Sequence, residues 1–198
     1  MNRDYWNHNA AYHPWLVAIA AEHRGDVLDV GCGEGLLAQR LATVSRSVTG
    51  IDPDRAAIIR ADDRLAPLPH VSLSQVRFEE FQADERTFDL ITFVASLHHM
   101  DLRASLVKAR NLLTPTGEIV VVGCSANKTV RDWVWSGMCA PAAGIGSWLH
   151  AETRNIGVLV KDPQDGLDDI RATVDEVLPS ASVRRALYYR YLLRWRRQ

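Results

Sequence analysis

Residues 27–37 constrain the fold of this chain more than any other stretch. They read VLDVGCGEGLL, an apolar, β-branched run followed by glycines at alternate positions. This order predicts a buried strand that turns tightly into a helix. Glycine tolerates positive φ and lets backbone N–H groups approach a ligand closely, and the helix offers its positive N-terminal end at the same place. The turn therefore predicts a binding site for a nucleotide-like cofactor.

Two acids accompany this glycine turn. Asp29 lies inside the first strand and needs a partner or exposure at the sheet edge, because an ionised group buried alone is costly. Asp52 ends the second predicted strand, about 20 residues beyond Gly31, where an acid reaches the ribose hydroxyls of a nucleotide. The alternative role for Asp52 is the N-cap of the next helix. Asp54 is the better cap, which leaves Asp52 for the ligand.

The third strand is predicted within residues 71–78, most clearly at 75–78, and Glu79, Glu80 and Phe81 follow it. An acid and an aromatic ring at this end of the sheet would recognise the amino group and the ring face of an adenine. The alternative is a solvated loop with one buried phenylalanine. The residue pattern leaves both interpretations open.

Strand and helix patterns alternate along the rest of the chain. Four apolar-rich strands separated by helices predict an α/β fold with a mostly parallel sheet covered on both faces. A length of 198 residues predicts one domain, residues 1–198. Two β segments turning near Tyr189 are predicted in the arginine-rich tail, 182–198. The other predicted strands are 27–30, 48–52, 88–94 and 118–123, and the predicted helices include 35–45, 102–113 and 166–178.

Two aromatic regions flank the alternating part. Residues 1–23 combine tyrosine, tryptophan and histidine around Pro14 and predict a helical flap over the cofactor mouth; a helix packed on the sheet edge is the alternative. Residues 124–157 mix tryptophans with glycines and predict a lid or pocket wall, the alternative being short helices that extend the core. The arginines of the tail would either grip an anionic partner or form a solvated face, and the second interpretation is favoured.

Charge and cysteine content exclude several classes of function. The net charge of −1 gives no global attraction to nucleic acid or to an anionic membrane. Three cysteines without CxxC spacing indicate neither a disulfide framework nor a metal cluster. No apolar run approaches the roughly 20 residues that span a bilayer, and no signal-peptide order is present. We expect a cytoplasmic protein without a metal, a nucleic-acid partner or a membrane partner.

The glycine spacing discriminates between cofactors. A dinucleotide fingerprint beginning at Gly31 requires a small residue at position 36, which is leucine here. A pyrophosphate also repels a carboxylate as near as Asp29, whereas the ammonium of an amino-acid head group does not. The sequence favours S-adenosylmethionine over a nicotinamide dinucleotide.

The chain resembles the class I S-adenosylmethionine-dependent methyltransferases over roughly residues 25–123. The motifs VLDVGCGEG, GIDPD, FDLITFVASLHHM and NLLTPTGEIVVVG occur in the family's order. Thr116 departs from the pattern, since the family often has glycine there. The resemblance implies a Rossmann-like, doubly wound, three-layer α/β/α fold with a seven-stranded sheet and an antiparallel C-terminal strand.

The same resemblance assigns the cofactor site. It places the methionine end of S-adenosylmethionine at the first motif and the ribose at the acid of the second strand, and it brings the residues after the third strand to the adenine. The residues so assigned are Asp29, Gly31, Cys32, Gly33, Gly35, Asp52, Pro53, Glu79, Glu80, Phe81 and Ala95.

The loop after the fourth strand faces the reactive methyl group in this family. Here it reads Ser96-Leu97-His98-His99, without the Asn/Asp-Pro-Pro-aromatic motif of nucleobase methyltransferases. Histidine is suited to accept a proton, because its unperturbed pKa is about 6.5. His99 is the first candidate for a general base and His98 the second. The alternative is that one of them caps the following helix or packs against the flap.

These residues predict methyl transfer to a small, partly apolar or aromatic metabolite, at oxygen or nitrogen, by a monomer or homodimer. The acceptor would lie between the flap, the histidine loop and residues 133–148. A nicotinamide-dependent oxidoreductase and a non-catalytic cofactor-binding partner subunit are the competing functions.

Overall fold

The computed structural model describes residues 5–130, 132–135, 137, 139 and 162–197. Most of the predicted lid lies outside the described residues. The described strands are β1 Asp26–Val30, β2 Ser47–Asp52, β3 Val71–Gln75, β4 Phe88–Val94, β5 Leu113–Cys124, β6 Ser182–Ala186 and β7 Arg190–Arg196. The helices with complete bounds are α1 His13–His23, α2 Leu36–Ala42, α3 Arg55–Leu65, α4 Leu102–Leu112 and α5 Leu167–Val177, with 3-10 turns at Ala10–Tyr12 and Leu97–His99.

The strands form one sheet in the order β3-β2-β1-β4-β5-β7-β6. β1 to β5 are parallel, and β7 lies antiparallel between β5 and β6. This arrangement confirms the predicted seven-stranded, Rossmann-like fold. The strand order reverses at β1, which pairs with both β2 and β4. A doubly wound sheet binds its ligands at that point, beyond the carboxyl ends of the strands.

Helices cover both faces of the sheet and confirm the three layers. One face carries Ile91, Phe93 and Val121 against α4 and α5. The other carries Val27 and Val120 against α1, α2 and α3. Strands buried on both faces have continuous apolar sequences, which explains why β4 and β5 could be predicted from the sequence. No helix in the described part is long and apolar enough to cross a bilayer.

Two strand boundaries differ from the prediction. β3 ends at Gln75, so the expectation that 75–78 is its clearest part is wrong. Gln75 pairs with Asp52, the last residue of β2, and β2 offers no backbone beyond it. β5 begins at Leu113 rather than at residue 118. Thr116 lies inside β5 with a negative φ, so this position does not need glycine.

The tail forms the predicted β hairpin, but its arginines are not simply a solvated face. Arg194 and Arg196 of β7 bind the carboxylate of Glu118, which is 0% exposed in β5, and His23 contacts it at 3.2 Å. Burial would raise the pKa of Glu118, but the hydrogen bonds from Arg194, His23 and Arg196 lower it below its usual value. The basic tail therefore neutralises an acid that the sheet buries.

Candidate active site

The glycine turn lies where the strand order reverses, and residues of neighbouring elements pack closely against it. Gly31 has φ +75°, and a Cβ atom there would lie 2.4 Å from the Cβ of Ser96. The Ser96 hydroxyl donates to the carbonyl of Val30 at 2.6 Å, which ties the loop after β4 to the end of β1. Gly35 has φ +80°, where a Cβ would lie 2.8 Å from Leu65. The positive φ and the close neighbours therefore require glycine at both positions on steric grounds alone.

Asp29 is buried beneath this turn, with 2% of its surface exposed. Its Oδ1 accepts a hydrogen bond from the Thr92 hydroxyl at 2.8 Å, whereas Oδ2 has no hydrogen-bond partner within the part of the chain that is described. Burial, with a smaller contribution from the charge of Asp52, raises the pKa of Asp29 to about 7, against the opposing effect of the Thr92 hydrogen bond. An incompletely satisfied buried carboxylate calls for a cationic ligand, and the ammonium of S-adenosylmethionine fits it.

Asp52 lies at the end of β2, facing the turn, and is 7% exposed. Its two carboxylate oxygens accept the backbone N–H groups of Gly33 and Asp54, each at 2.9 Å. Asp54 in turn caps α3 by accepting from the N–H of Ala56 at 2.8 Å, which confirms that Asp54 is the N-cap. Each oxygen of Asp52 keeps a second lone pair, which is the acceptor that a ribose hydroxyl needs.

The remaining candidates, from the first motif and from the predicted adenine site, differ in how far their side chains are exposed. Cys32 is buried, its pKa is raised by burial, and its sulfur packs close to Gly50, so only its backbone faces the turn. Pro53, Glu79 and Glu80 are exposed. Phe81 is 6% exposed and packs on Phe88 at 6.5 Å between ring centroids, which leaves little of its ring open to an adenine. This is the arrangement expected of a solvated loop with one buried phenylalanine.

The loop after β4 leaves the sheet sharply. Ala95 has φ +51°, and its N–H donates to the carbonyl of Val122 at 2.8 Å. A left-handed alanine is strained and occurs where surrounding contacts enforce it, often at functional sites. The strained residue directs the chain into the 3-10 turn that carries the two histidines.

His98 and His99 lie with their ring centroids 4.2 Å apart. His99 is exposed, whereas His98 is half-buried and lines a small cleft with Cys124 and Tyr191. The side chain of Asp101 caps α4 by accepting from the N–H of Ala104 at 2.7 Å, so the helix has its N-cap without a histidine. Both histidines remain candidates for the general base.

The structure adds Arg64, which the motifs did not reveal, and it gives Tyr5 of the predicted flap a contact with the glycine turn. Arg64 of α3 is 5% exposed and donates from Nε to the carbonyl of Glu34 in the glycine turn at 3.1 Å. Tyr5 also reaches Glu34: burial, followed by the charge of Glu34 and a hydrogen bond to it, raises the pKa of Tyr5 to about 12. In the sequence, the only indication of this role for Arg64 was an arginine within the predicted helix after the second strand. That indication is too weak to predict the contact with Glu34.

The aromatic segment, residues 5–12, connects the glycine turn with the hairpin between β6 and β7. His8 stacks on Tyr188 at 4.7 Å, and the Tyr12 hydroxyl donates to the carbonyl of Leu187 at 2.7 Å. Arg190 donates to Oδ1 of Asn9 at 2.8 Å. Because β7 begins where β5 ends, this hairpin lies at the carboxyl edge of the sheet. The aromatic segment therefore lies along the edge where the cofactor candidates meet.

Comparison with known proteins defines the class. The sequence profile of the family described as a methyltransferase domain matches residues 27–117. An uncharacterized methyltransferase of Mycobacterium tuberculosis is 33% identical over 192 residues, which cover 96% of this chain and 96% of that protein. The chain belongs to the class I S-adenosylmethionine-dependent methyltransferases. The resemblance drawn from its motifs is thereby confirmed, and the oxidoreductase alternative is set aside.

Two other similarities show less: one covers only part of the chain, and the other is a similarity of fold. A ubiquinone biosynthesis O-methyltransferase of Pasteurella multocida is 31% identical over 156 residues, covering 67% of this chain and 64% of that protein. The N-methyltransferase NodS from Bradyrhizobium japonicum, solved with S-adenosyl-L-homocysteine, is 18% identical with a TM-score of 0.65, covering 96% of this chain and 88% of that one. The second similarity shows a shared fold.

Proposed function

We propose that this protein binds S-adenosylmethionine at the glycine turn and transfers its methyl group to the oxygen or nitrogen of a small, partly apolar or aromatic metabolite. The unpartnered Oδ2 of Asp29 carries the cofactor part of this proposal. Asp29 would bind the ammonium, Asp52 the ribose hydroxyls, and the backbone of Gly31, Cys32, Gly33 and Gly35 would pack against the methionine end.

S-adenosylmethionine supplies a methyl carbon already activated by its sulfonium, so transfer is an in-line displacement. The protein has to hold the acceptor in line and, where the acceptor is not already nucleophilic, to take its proton. His99 is the first candidate for that base and His98 the second. The cleft lined by His98, Cys124 and Tyr191 measures only about 10 Å³, so it does not itself hold an acceptor. The position of the histidine turn directly after β4 supports an acceptor beyond the ends of β4 and β5.

The aromatic segment supports the proposed flap. Its contacts with Glu34 at one end and Tyr188 at the other support a position along the mouth of the site. A small acceptor would then be enclosed by residues 5–12, the histidine loop and the chain that follows β5. We propose action in the cytoplasm on a free metabolite, without a nucleic-acid or membrane partner, by a monomer or homodimer.

Calorimetric titration tests the cofactor. S-adenosylmethionine and S-adenosyl-L-homocysteine should both bind, and NAD should not. Tight binding of NAD alone would contradict the proposal. Incubation of metabolite extracts with a deuterium-labelled methyl donor, followed by mass spectrometry, then identifies the methylated product. Cofactor binding without any labelled product would favour the non-catalytic partner subunit.

A further inference from the structure

A second cavity, of about 380 Å³, lies at the same edge of the sheet. It is enclosed by the chain after β5, the loop before α5 and the β6–β7 hairpin. It shares Pro163 and Tyr191 with the cleft of His98, so a molecule seated in it would extend toward the proposed site of methyl transfer. The side chains used below are Trp133, Trp135, Asp162, Arg185, Tyr189 and Arg190.

Arg185 enters this cavity with its orientation fixed. Its Nη2 donates to Oδ1 of Asp132 at 2.5 Å. Oδ2 of Asp132 accepts the backbone N–H of Lys128 at 3.1 Å, and it accepts both the N–H and the hydroxyl of Thr129 at 2.8 Å. Hydrogen bonds from Thr129 and Arg185 lower the pKa of Asp132 to about 2 despite its burial, so this anchor is charged at neutral pH.

Two buried donors belong to residues that line the cavity, and neither finds an acceptor among the described residues. The Nε–H of Arg185 and the indole N–H of Trp135 are shielded from solvent and have no hydrogen-bond partner within the described ranges. Buried N–H groups are nearly always satisfied, and leaving one without an acceptor costs free energy. Because both residues line one cavity, a ligand with paired acceptor oxygens bound against them would supply the missing acceptors.

The charges around the cavity indicate the nature of that ligand. The positive charge of Arg185 is mostly buried and is balanced by Asp132. Arg190 is half-buried and contacts the neutral oxygens of Asn9 and Tyr188, so it gives the cavity a further positive charge. Asp162, also in the lining, is exposed to water, which screens its charge. Trp133 and Tyr189 offer apolar surface beside the donors. A carboxylate attached to an apolar body satisfies all these groups.

We propose that the methyl acceptor carries a carboxylate that binds Arg185 and Trp135, while its body extends toward His98. This assignment rests on the proposed methyl transfer and narrows its substrate class. Arg185 acts as a specificity-determining residue, because a carboxylate oxygen accepts a charge-assisted hydrogen bond from its Nε–H, and a neutral oxygen accepts a weaker one. Asp132 is a positioning residue for Arg185.

The test compares carboxylates with their amides as binding probes. Benzoate, phenylacetate and hexanoate are titrated against benzamide, phenylacetamide and hexanamide, with the enzyme saturated with S-adenosyl-L-homocysteine, and dissociation constants are measured by ligand-observed NMR. At least one carboxylate should bind roughly 10- to 100-fold more tightly than its amide. Arg185→Gln should abolish that preference, and Arg184→Gln, an exposed neighbour on the same strand, should preserve it.

Trp135→Phe keeps an aromatic ring and removes the N–H, so it should weaken carboxylate binding several-fold even where Arg185→Gln fails to fold. The proposal is overturned when no pair shows a preference for the carboxylate, or when both the Arg185 and the Trp135 variant retain it. The affinity for S-adenosyl-L-homocysteine is measured separately for each protein. If the wild type does not bind S-adenosyl-L-homocysteine, the proposed cofactor is wrong. The comparison of carboxylates with amides is then repeated without S-adenosyl-L-homocysteine and still tests the carboxylate site.

Discussion

Replacing Asp29 by asparagine should stabilise the ligand-free protein at pH 8 while it impairs cofactor binding. In the folded chain the carboxyl is buried, and its pKa is raised from the model-compound value of 3.8 to about 7. Ionised Asp29 therefore opposes folding above pH 7. Asparagine resembles the protonated form in shape, carries no charge, and keeps an oxygen that accepts from Thr92.

The shift sets the magnitude. The difference between a pKa of 3.8 and one of about 7 corresponds to an upper limit of about 4 kcal/mol for the penalty of ionised Asp29. The new amide N–H₂ occupies the place of the unpartnered oxygen, which offsets part of this gain, so we expect roughly 1–3 kcal/mol at pH 8. Because the folded pKa is raised, the folded chain holds the extra proton between pH 4 and pH 7, and the wild type gains stability as the pH falls through that window.

Urea unfolding of both proteins at pH 4.5, 6 and 8 measures the difference. The advantage of Asp29→Asn should be largest at pH 8 and shrink toward pH 4.5. Titration with S-adenosylmethionine should show weaker binding to the variant at pH 8, and the deficit should shrink toward pH 4.5, where the wild-type carboxyl is protonated. In the wild type below pH 7, binding should release a proton, which two buffers of different ionisation enthalpy detect. A variant less stable than the wild type at pH 8, with the same pH dependence, would refute the reasoning.

Three further changes test other parts of the structure. His99→Ala should lower turnover by roughly 10²–10⁴-fold with S-adenosyl-L-homocysteine affinity retained, and unchanged turnover of both His99→Ala and His98→Ala would exclude a histidine base. Gly31→Ala should abolish cofactor binding in calorimetry, because its Cβ meets that of Ser96 at 2.4 Å; adding Ser96→Gly should restore part of it by making space. Glu118→Ala should destabilise the fold in urea by roughly 1–3 kcal/mol at pH 7, since it leaves Arg194 and Arg196 facing each other, although water screens both. Because the pKa of Glu118 is lowered, this loss should diminish as the pH falls below about 4.5, and a constant difference would contradict it.

Local rules predicted the part of the site that local sequence encodes. The glycine turn, the acid ending β2 and the cap at Asp54 each depend on residues within one strand–turn–helix unit, and each was found where expected. The end of β3 was not predictable in this way, because it is set by where its neighbour β2 runs out of backbone. Edge strands depend on pairing rather than on their own pattern.

Long-range pairs account for most of what the sequence did not reveal. Arg185 and Asp132 are 53 positions apart, and Arg194 and Glu118 are 76 positions apart. No periodicity links such residues, so the sequence favours a solvated basic face for the tail. The lack of a partner for Oδ2 of Asp29 among the described residues likewise results from packing. The sequence shows an aspartate in a strand, but it does not show whether the neighbouring residues hydrogen-bond to the carboxylate.

The contact between Tyr12 and Leu187 spans 175 positions and has a consequence for synthesis on the ribosome. Residues 5–12 leave the exit tunnel long before the hairpin that holds them exists. The parallel core can assemble as its strands emerge, but the aromatic segment stays undocked until β6 and β7 have been translated, and closing so long a loop is slow. A nascent chain arrested after β5 would therefore lack the mouth of its own site. Catalytic competence would arrive only with the last strands, a timing that pulse-labelled, stalled nascent chains can measure.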